Sequence, residues 1–255
     1  MQACTAGKGL EFKSPSMEVQ REIIHSIAAD TRGLPGPVTK AIFLNRGELI
    51  SASCYTGELL VWKLEGAAYS RKFEKRLFEG SINAISHLWL ETSFRVFCAC
   101  SDGNLRIVEF DTRFGTVETQ IFCHRSGISS VSNSDRYLMT GSMDHTTAIF
   151  DVQSMKEVRR NTDHRGIVRD VGVCSVGEFD ISCFASCSDD GTVIIYNKDG
   201  DEFKRQVIEI GQPVYSLAWS KTGYSLSVGY GESSVRHFVP DISGLFKDVE
   251  LKRAE

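Results

Sequence analysis

Ala185-Ser-Cys-Ser-Asp-Asp-Gly-Thr-Val-Ile-Ile-Tyr196 is the stretch whose reading decides the fold. Small residues run into Asp189-Asp190-Gly191, a turn signal in which aspartate caps local backbone and glycine supplies a positive φ. A β-branched run ending in an aromatic ring follows, the composition of a pleated, half-buried strand. The pattern recurs as Cys4–Phe12, Cys54–Trp62, Cys100–Val108, Ser142–Phe150, Ser188–Tyr196 and Tyr230–Phe238, with the third residue of each copy at the turn. The closing residues fall at 12, 62, 108, 150, 196 and 238, in steps of 50, 46, 42, 46 and 42. Such steps match the roughly 40–45-residue period of β-propeller blades.

A second element precedes five of the copies. It is a pair of apolar residues three apart: Val38 with Ala41, Ile82 with Ile85, Ile128 with Val131, Val168 with Val171, and Val214 with Leu217. These mark the inner strand of each blade. The five prolines lie between strands or at a strand's first residue, where a missing N–H breaks no ladder bond. No segment sustains a 3.6-residue apolar period, and Met17–Ile27, the nearest to one, reads as an outer strand.

The expected architecture is therefore all-β: one WD-repeat propeller over residues 1–255, with blades near 1–29, 37–78, 82–122, 128–162, 168–209 and 212–250. A single blade cannot bury both its faces, so blades stack radially and ring closure becomes the main stability problem. The last repeat supplies four strands of its own, near 214–219, 223–229, 234–239 and 245–250, which leaves no clasp strand. The first repeat starts within or just before its second strand, so the count is five full blades and a partial first one. Either the ring is open and something else fills the gap, or the sequence lacks roughly twenty residues of a blade period at its start.

Composition narrows the function. With 42% hydrophobic and 24% charged residues the chain can bury a full core, and its formal net charge of −4 offers no global positive field for nucleic acid or anionic lipid. The basic clusters Arg71-Lys72 with Lys75-Arg76, and Arg159-Arg160 with Arg165 and Arg169, read as solvated rims. Met1–Ser16 has no apolar h-region, no run approaches a membrane span, and no Asn-x-Ser/Thr acceptor occurs, which places the protein on the cytosolic side. The eight cysteines include Cys98, Cys100, Cys183 and Cys187 inside apolar strands and lack zinc-finger spacing, so they read as reduced core residues. No metal or cofactor is expected. No Gly-x-Ser-x-Gly, His-Glu-x-x-His or paired-carboxylate arrangement is present, and Gly229-Tyr-Gly-Glu-Ser233 lacks the strand-to-helix context of a phosphate loop.

In WD repeats, a His before the inner strand, a Ser/Thr on the second strand, an Asp in the next turn and a Trp ending the third form a buried network. The His position here holds Leu34, Phe78, His124, His164 and Ile210, and the Trp position holds Phe12, Trp62, Val108, Phe150, Tyr196 and Phe238. Only the fourth and fifth blades can form the brace, as His124 with Asp144 and His164 with Asp190. These pairs read as structural rather than catalytic.

Within the WD proteins the chain resembles the small six-bladed subunit shared by the COPII outer coat and the Y-shaped scaffold of the nuclear pore, the SEC-thirteen-like family. The residues that carry the resemblance include Gly36-Pro37-Val38, Ile50–Cys54 with Val61-Trp62-Lys63, Phe97–Gly103, Ile167–Val171, Ala185–Gly191, and Val214–Ser220 with Thr222-Gly223. The chain departs from that family in its abbreviated first blade, its weak fourth blade and Phe238 in place of Trp. The resemblance implies a non-enzymatic scaffold at ER exit sites or the nuclear pore, touching membrane only through the coat. It also implies an α-solenoid partner that donates a β-blade between the first and last blades. Seam residues are expected among Leu10, Phe12, Ile24 and Ile27 of the first blade and Leu217, Trp219, Leu226 and Val228 of the sixth. The alternative is an adaptor reading peptides on the top face of a closed ring. An enzyme on a propeller frame would need a convergent set of channel-lining carboxylates or histidines, and none is visible.

Overall fold

The computed structural model describes residues 34–249 apart from 45–46, 67, 177–180, 201 and 221. The first repeat, with Leu10, Phe12, Ile24 and Ile27, lies outside the described residues.

Among the described residues twenty strands form five four-stranded antiparallel meanders. Sheet I holds β1 (Val38–Leu44), β2 (Leu49–Cys54), β3 (Glu58–Glu65) and β4 (Ala68–Arg76). Sheet II holds β5 (Ile82–Trp89), β6 (Phe94–Cys100), β7 (Asn104–Phe110) and β8 (Thr116–Phe122). Sheet III holds β9 (Ile128–Asn133), β10 (Tyr137–Ser142), β11 (Thr147–Asp151) and β12 (Glu157–Asn161). Sheet IV holds β13 (Val168–Val176), β14 (Ile181–Ser188), β15 (Thr192–Asp199) and β16 (Glu202–Glu209), and sheet V holds β17 (Val214–Trp219), β18 (Leu226–Tyr230), β19 (Ser234–Pro240) and β20 (Phe246–Asp248). Described residues contain no helix long and apolar enough to cross a membrane.

The core is a set of apolar slabs, each between two consecutive sheets. Leu59 and Val61 of sheet I meet Ile85, Val96 and Phe110 of sheet II. Phe97, Leu105 and Ile107 leave the other face of sheet II to meet Val131, Leu138 and Phe150 of sheet III. Met139 and Ile149 then meet Val171, Phe184 and Tyr196 of sheet IV, and Ala185, Cys187, Val193 and Ile195 meet Leu226, Val228 and Phe238 of sheet V. The period-2 alternation of a strand thus serves two different slabs, and every central sheet is apolar on both faces. The outer strands are solvated, with β8 exposed at five successive residues from Thr116.

The turns carry the geometry between strands. Gly103 sits at φ 81°, and a Cβ there would stand 2.2 Å from the His124 carbonyl oxygen, so the turn closes only with glycine. In the hairpin after the third strand the left-handed position is glycine in sheets I, IV and V but Phe114 (φ 62°) in sheet II and Met155 (φ 53°) in sheet III. Both side chains pack onto the edges of apolar slabs, Phe114 on the one between sheets I and II and Met155 on the one between sheets II and III. That burial offsets a backbone strain of about 1–2 kcal/mol.

Seven cysteines are free and buried, and Cys4 lies outside the described residues. Burial pushes the thiols up, Cys100 to about 11 and Cys123 and Cys183 to about 12. A protonated, enclosed thiol is a poor nucleophile. With an aromatic disulfide reagent at pH 8, at most one of the eight thiols should react in the native protein and all eight after unfolding in urea. Rapid reaction of three or more native thiols would show that the slabs are not closed around them.

Candidate interaction seam

Two features of the ring bear on function: the polar braces at its turns and the face on which the row of sheets ends. In sheet III, His124 Nε2 lies 2.8 Å from Thr140 Oγ1 and Nδ1 lies 2.9 Å from Thr146 Oγ1. The Asp144 carboxylate accepts the Arg125 amide at 2.9 Å and the Thr146 hydroxyl at 2.6 Å. Sheet IV repeats the arrangement: His164 Nε2 is 2.8 Å from Ser186 Oγ and Nδ1 is 3.1 Å from Asp190 Oδ2, while Asp190 accepts the Arg165 amide at 2.7 Å. Burial is the main force lowering both histidines, His124 to about 4, against the opposing pull of Asp144 and Asp190. Each imidazole is therefore neutral at pH 7, and each pair is a hydrogen-bonded clamp rather than an ion pair. Asp190 falls to about 2 because hydrogen bonds from Thr192 and the Arg165 amide outweigh its desolvation.

The sequence pattern identified His124, Asp144, His164 and Asp190 but did not single out Thr140, Thr146, Ser186 and Thr192, the hydroxyls that complete each clamp. Their signal is positional: one hydroxyl lies two residues before the end of the second strand and the other two residues after the Asp. The ring also contains a different brace. In sheet II, where Phe78 stands at the His position, the Arg106 guanidinium stacks on the Phe78 ring at 4.1 Å and binds Asp102 through two nitrogens at 3.0 and 2.8 Å. In the last repeat, where Ile210 holds the His position, Arg236 at the position matching Arg106 stacks on Tyr230 at 5.1 Å.

The inner strands pack in chain order, β1 on β5, β5 on β9, β9 on β13 and β13 on β17. Among the described residues no comparable packing joins β17 to β1, so the sheets do not close on themselves. At one end sheet I presents Ile50, Ala52, Leu60, Trp62 and Tyr69 as a buried apolar face of its own. At the other end the final face of sheet V is unlike every outgoing face before it. Cross-strand register puts Ser227 opposite His237 and Gly229 opposite Val235. The equivalent pairs in sheet IV are Ala185 with Ile195 and Cys187 with Val193, all buried. In sheet V, Ser227 Oγ and His237 Nδ1 bind each other at 2.9 Å, and Val235 and Val239 stand 60% and 38% exposed.

This geometry corrects the expected seam residues. Leu217, Trp219, Leu226 and Val228 point the other way, into the slab against sheet IV, and Leu226 and Val228 are fully buried there. Alternation puts their strand neighbours on the open face instead: Ser216, Ala218, Ser227, Gly229, Val235 and His237. An aspartate at Leu226 would therefore break the sheet IV–V slab and report on folding, not on a partner.

Comparison with known proteins agrees with this architecture. The family WD domain, G-beta repeat matches residues 115–151 and 155–197. Protein transport protein sec13 of Emericella nidulans is 26% identical over 89% of this chain and 84% of its own length. The Drosophila melanogaster protein SEC13 homolog is 23% identical over 89% of this chain and 73% of its own length. Among solved structures, a chain in the crystal structure of the mitotic checkpoint complex superposes with a TM-score of 0.69 at 16% identity, covering 84% of this chain and 66% of that one. The chain is similar to Sec13 proteins over most of its length and carries WD repeats over residues 115–151 and 155–197. The two segments that match the WD family contain both polar clamps, His124 with Asp144 and His164 with Asp190. In sheet II the Arg106 guanidinium, stacked on Phe78 and bound to Asp102, stands in the place of such a clamp.

His164→Ala should cost about 1–3 kcal/mol, because Ser186 and Asp190 then lose a buried partner. Asp190→Ala should cost as much, and the double variant no more than either alone. Urea titration of the three variants checks this, and additive losses would mean that the pair is not coupled. Histidine with a depressed folded pKa stabilises above its unfolded value of 6.5, and that contribution is lost as pH falls toward the folded value. Between pH 7 and pH 5 the His124 share should fall by about 2 kcal/mol. His124→Gln should flatten that part of the pH profile.

Proposed function

We propose that the chain is a non-enzymatic scaffold subunit of the COPII vesicle coat, the nuclear pore outer ring, or both, and that an α-solenoid partner completes its ring with a β-blade. The relatives named as protein transport proteins support the transport role. The observation that carries the mechanism is the last face of sheet V, where Val235 and Val239 are exposed and, among the described residues, no slab forms against β1. A donated blade would add main-chain pairing and apolar contact at this face, while side-chain fit sets specificity. In this reading the protein works on the cytoplasmic side at ER exit sites or at the nuclear pore and meets membrane only through the coat. Its clamps and slabs supply stiffness, and no chemical step is needed.

The test is affinity purification of the tagged full chain from its native lysate, followed by melting of the purified chain with and without the co-purifying protein. An α-solenoid protein in stoichiometric amount is expected, with about 2.7 kcal/mol of added stability at roughly one hundred times the Kd. Val235→Asp should remove most of that gain, whereas Val117→Asp on the exposed outer strand β8 should leave it intact. A chain that purifies without a solenoid protein and whose melting is indifferent to added partner would overturn the proposal.

A further inference from the structure

Among the described residues every inner strand slips register at its second residue: Thr39, Asn83, Ser129, Arg169 and Tyr215 are each passed over in the pairing with the second strand. A bulge of this kind re-aims its own side chain and frees backbone groups beside it. The first three use this freedom identically. Thr39 Oγ1 donates to the Ile82 carbonyl at 2.5 Å, Asn83 Nδ2 to the Ile128 carbonyl at 2.7 Å, and Ser129 Oγ to the Val168 carbonyl at 2.5 Å. In each case the acceptor is the first residue of the next sheet's inner strand.

In sheets III and IV the third residue of the inner strand supplies a complementary contact. Ser130 Oγ accepts the Val171 amide at 3.4 Å, and Asp170 Oδ2 accepts the Leu217 amide at 3.0 Å. Both amides belong to the fourth residue of the following inner strand. At the junction of sheets III and IV one blade therefore reads the backbone of the next at two points, a carbonyl and an N–H three residues later, with the donor and acceptor adjacent in its own sequence. Arg169 alone is diverted, its guanidinium held by two 2.7 Å bonds to Asp189, and at that junction Asp170 carries the contact.

In sheet V the corresponding residues are Tyr215 and Ser216. Tyr215 is 51% exposed, Ser216 is exposed, and neither hydroxyl has a hydrogen-bond partner among the described residues. We propose that Tyr215 and Ser216 are the reading pair for the strand that completes the ring, an extended segment of another chain. Tyr215 donates to the carbonyl of that segment's first inner-strand residue, and Ser216 accepts the N–H of its fourth. Because both contacts are to main chain, the pair fixes the depth and register of the incoming strand and leaves its side chains free to vary. This rests on the reading that another chain completes the ring, but not on that chain being an α-solenoid protein.

The experiment replaces Tyr215 with the photoreactive p-benzoyl-phenylalanine in the full chain, irradiates native lysate and maps the adduct by mass spectrometry. An adduct within a β-strand segment of one other protein is expected. Tyr215→Phe and Ser216→Ala should each weaken binding of that purified protein about three- to tenfold, the worth of one hydrogen bond. Tyr224→Phe, on an exposed loop tyrosine, should have no effect, and the melting temperature of the isolated chain should not move in any of the three. An adduct with an α-solenoid protein supports both proposals, whereas one with a strand from a different kind of protein supports the reading pair and removes the solenoid. No adduct, an adduct with residues 1–33 of the same chain, or binding unchanged in both variants overturns the reading pair.

Discussion

Face-to-face packing of one twisted sheet on the next is the constraint on which the rest of this structure depends. A four-stranded meander has two faces, and in sheets II, III and IV both are apolar, so none of them can stand alone in water. Each slab is assembled from the alternate residues of two sheets, which ties neighbouring repeats together as strongly as the strands within one. Stability in such an array is a sum over adjacent interfaces, and among the described residues that sum is left incomplete at the last face of sheet V. The two ends are chemically different. Among the described sheets, sheet I begins the row with a buried apolar face around Trp62, and sheet V ends it with a face of Ser227, Gly229 and His237 interrupted by exposed valines.

Apolar slabs hold sheets together but do not fix how far one slides along another. Polar contacts at the inner strands supply that register. Ser129, Ser130, Ser132 and Asp170 reach across sheet boundaries to backbone carbonyls and amides, and the Trp219 indole donates to the Gly172 carbonyl at 3.2 Å. A hydrogen bond to main chain is directional where dispersion is not, so a few of them orient a large apolar interface. Asp170 joins three consecutive inner strands, accepting the Ser130 hydroxyl from one side and the Leu217 amide from the other.

The braces show that one structural task has more than one chemical answer. A neutral histidine between a hydroxyl and a carboxylate ties the turn to the second strand in sheets III and IV. In sheet II an arginine does it by stacking on a ring at the histidine's place while its guanidinium neutralises Asp102, whose carboxyl is held low by that pairing despite its desolvation. Both solutions leave no buried charge without a partner, the condition that decides whether such a network helps or harms.

Much of this was legible in the sequence. The turn triplets, the aromatic closing residues and the paired apolar positions of the inner strands are local signals, set by backbone sterics and side-chain shape, and the structure places them on the expected strands. The His124–Asp144 and His164–Asp190 pairs could also be read, because their spacing follows from the repeat. What the sequence by itself could not determine was direction. Alternation divides a strand such as Leu226-Ser-Val-Gly229 into two faces without saying which meets the preceding sheet, and that depends on the handed twist that all the sheets share. Only the tertiary structure turned Leu226 and Val228 inward against sheet IV and left Ser227 and Gly229 at the open end. It alone also brought Arg106 over Phe78 and set the bulged Thr39, Asn83 and Ser129 side chains against the next sheet's backbone, because those contacts join residues whose nearness arises only when whole sheets stack.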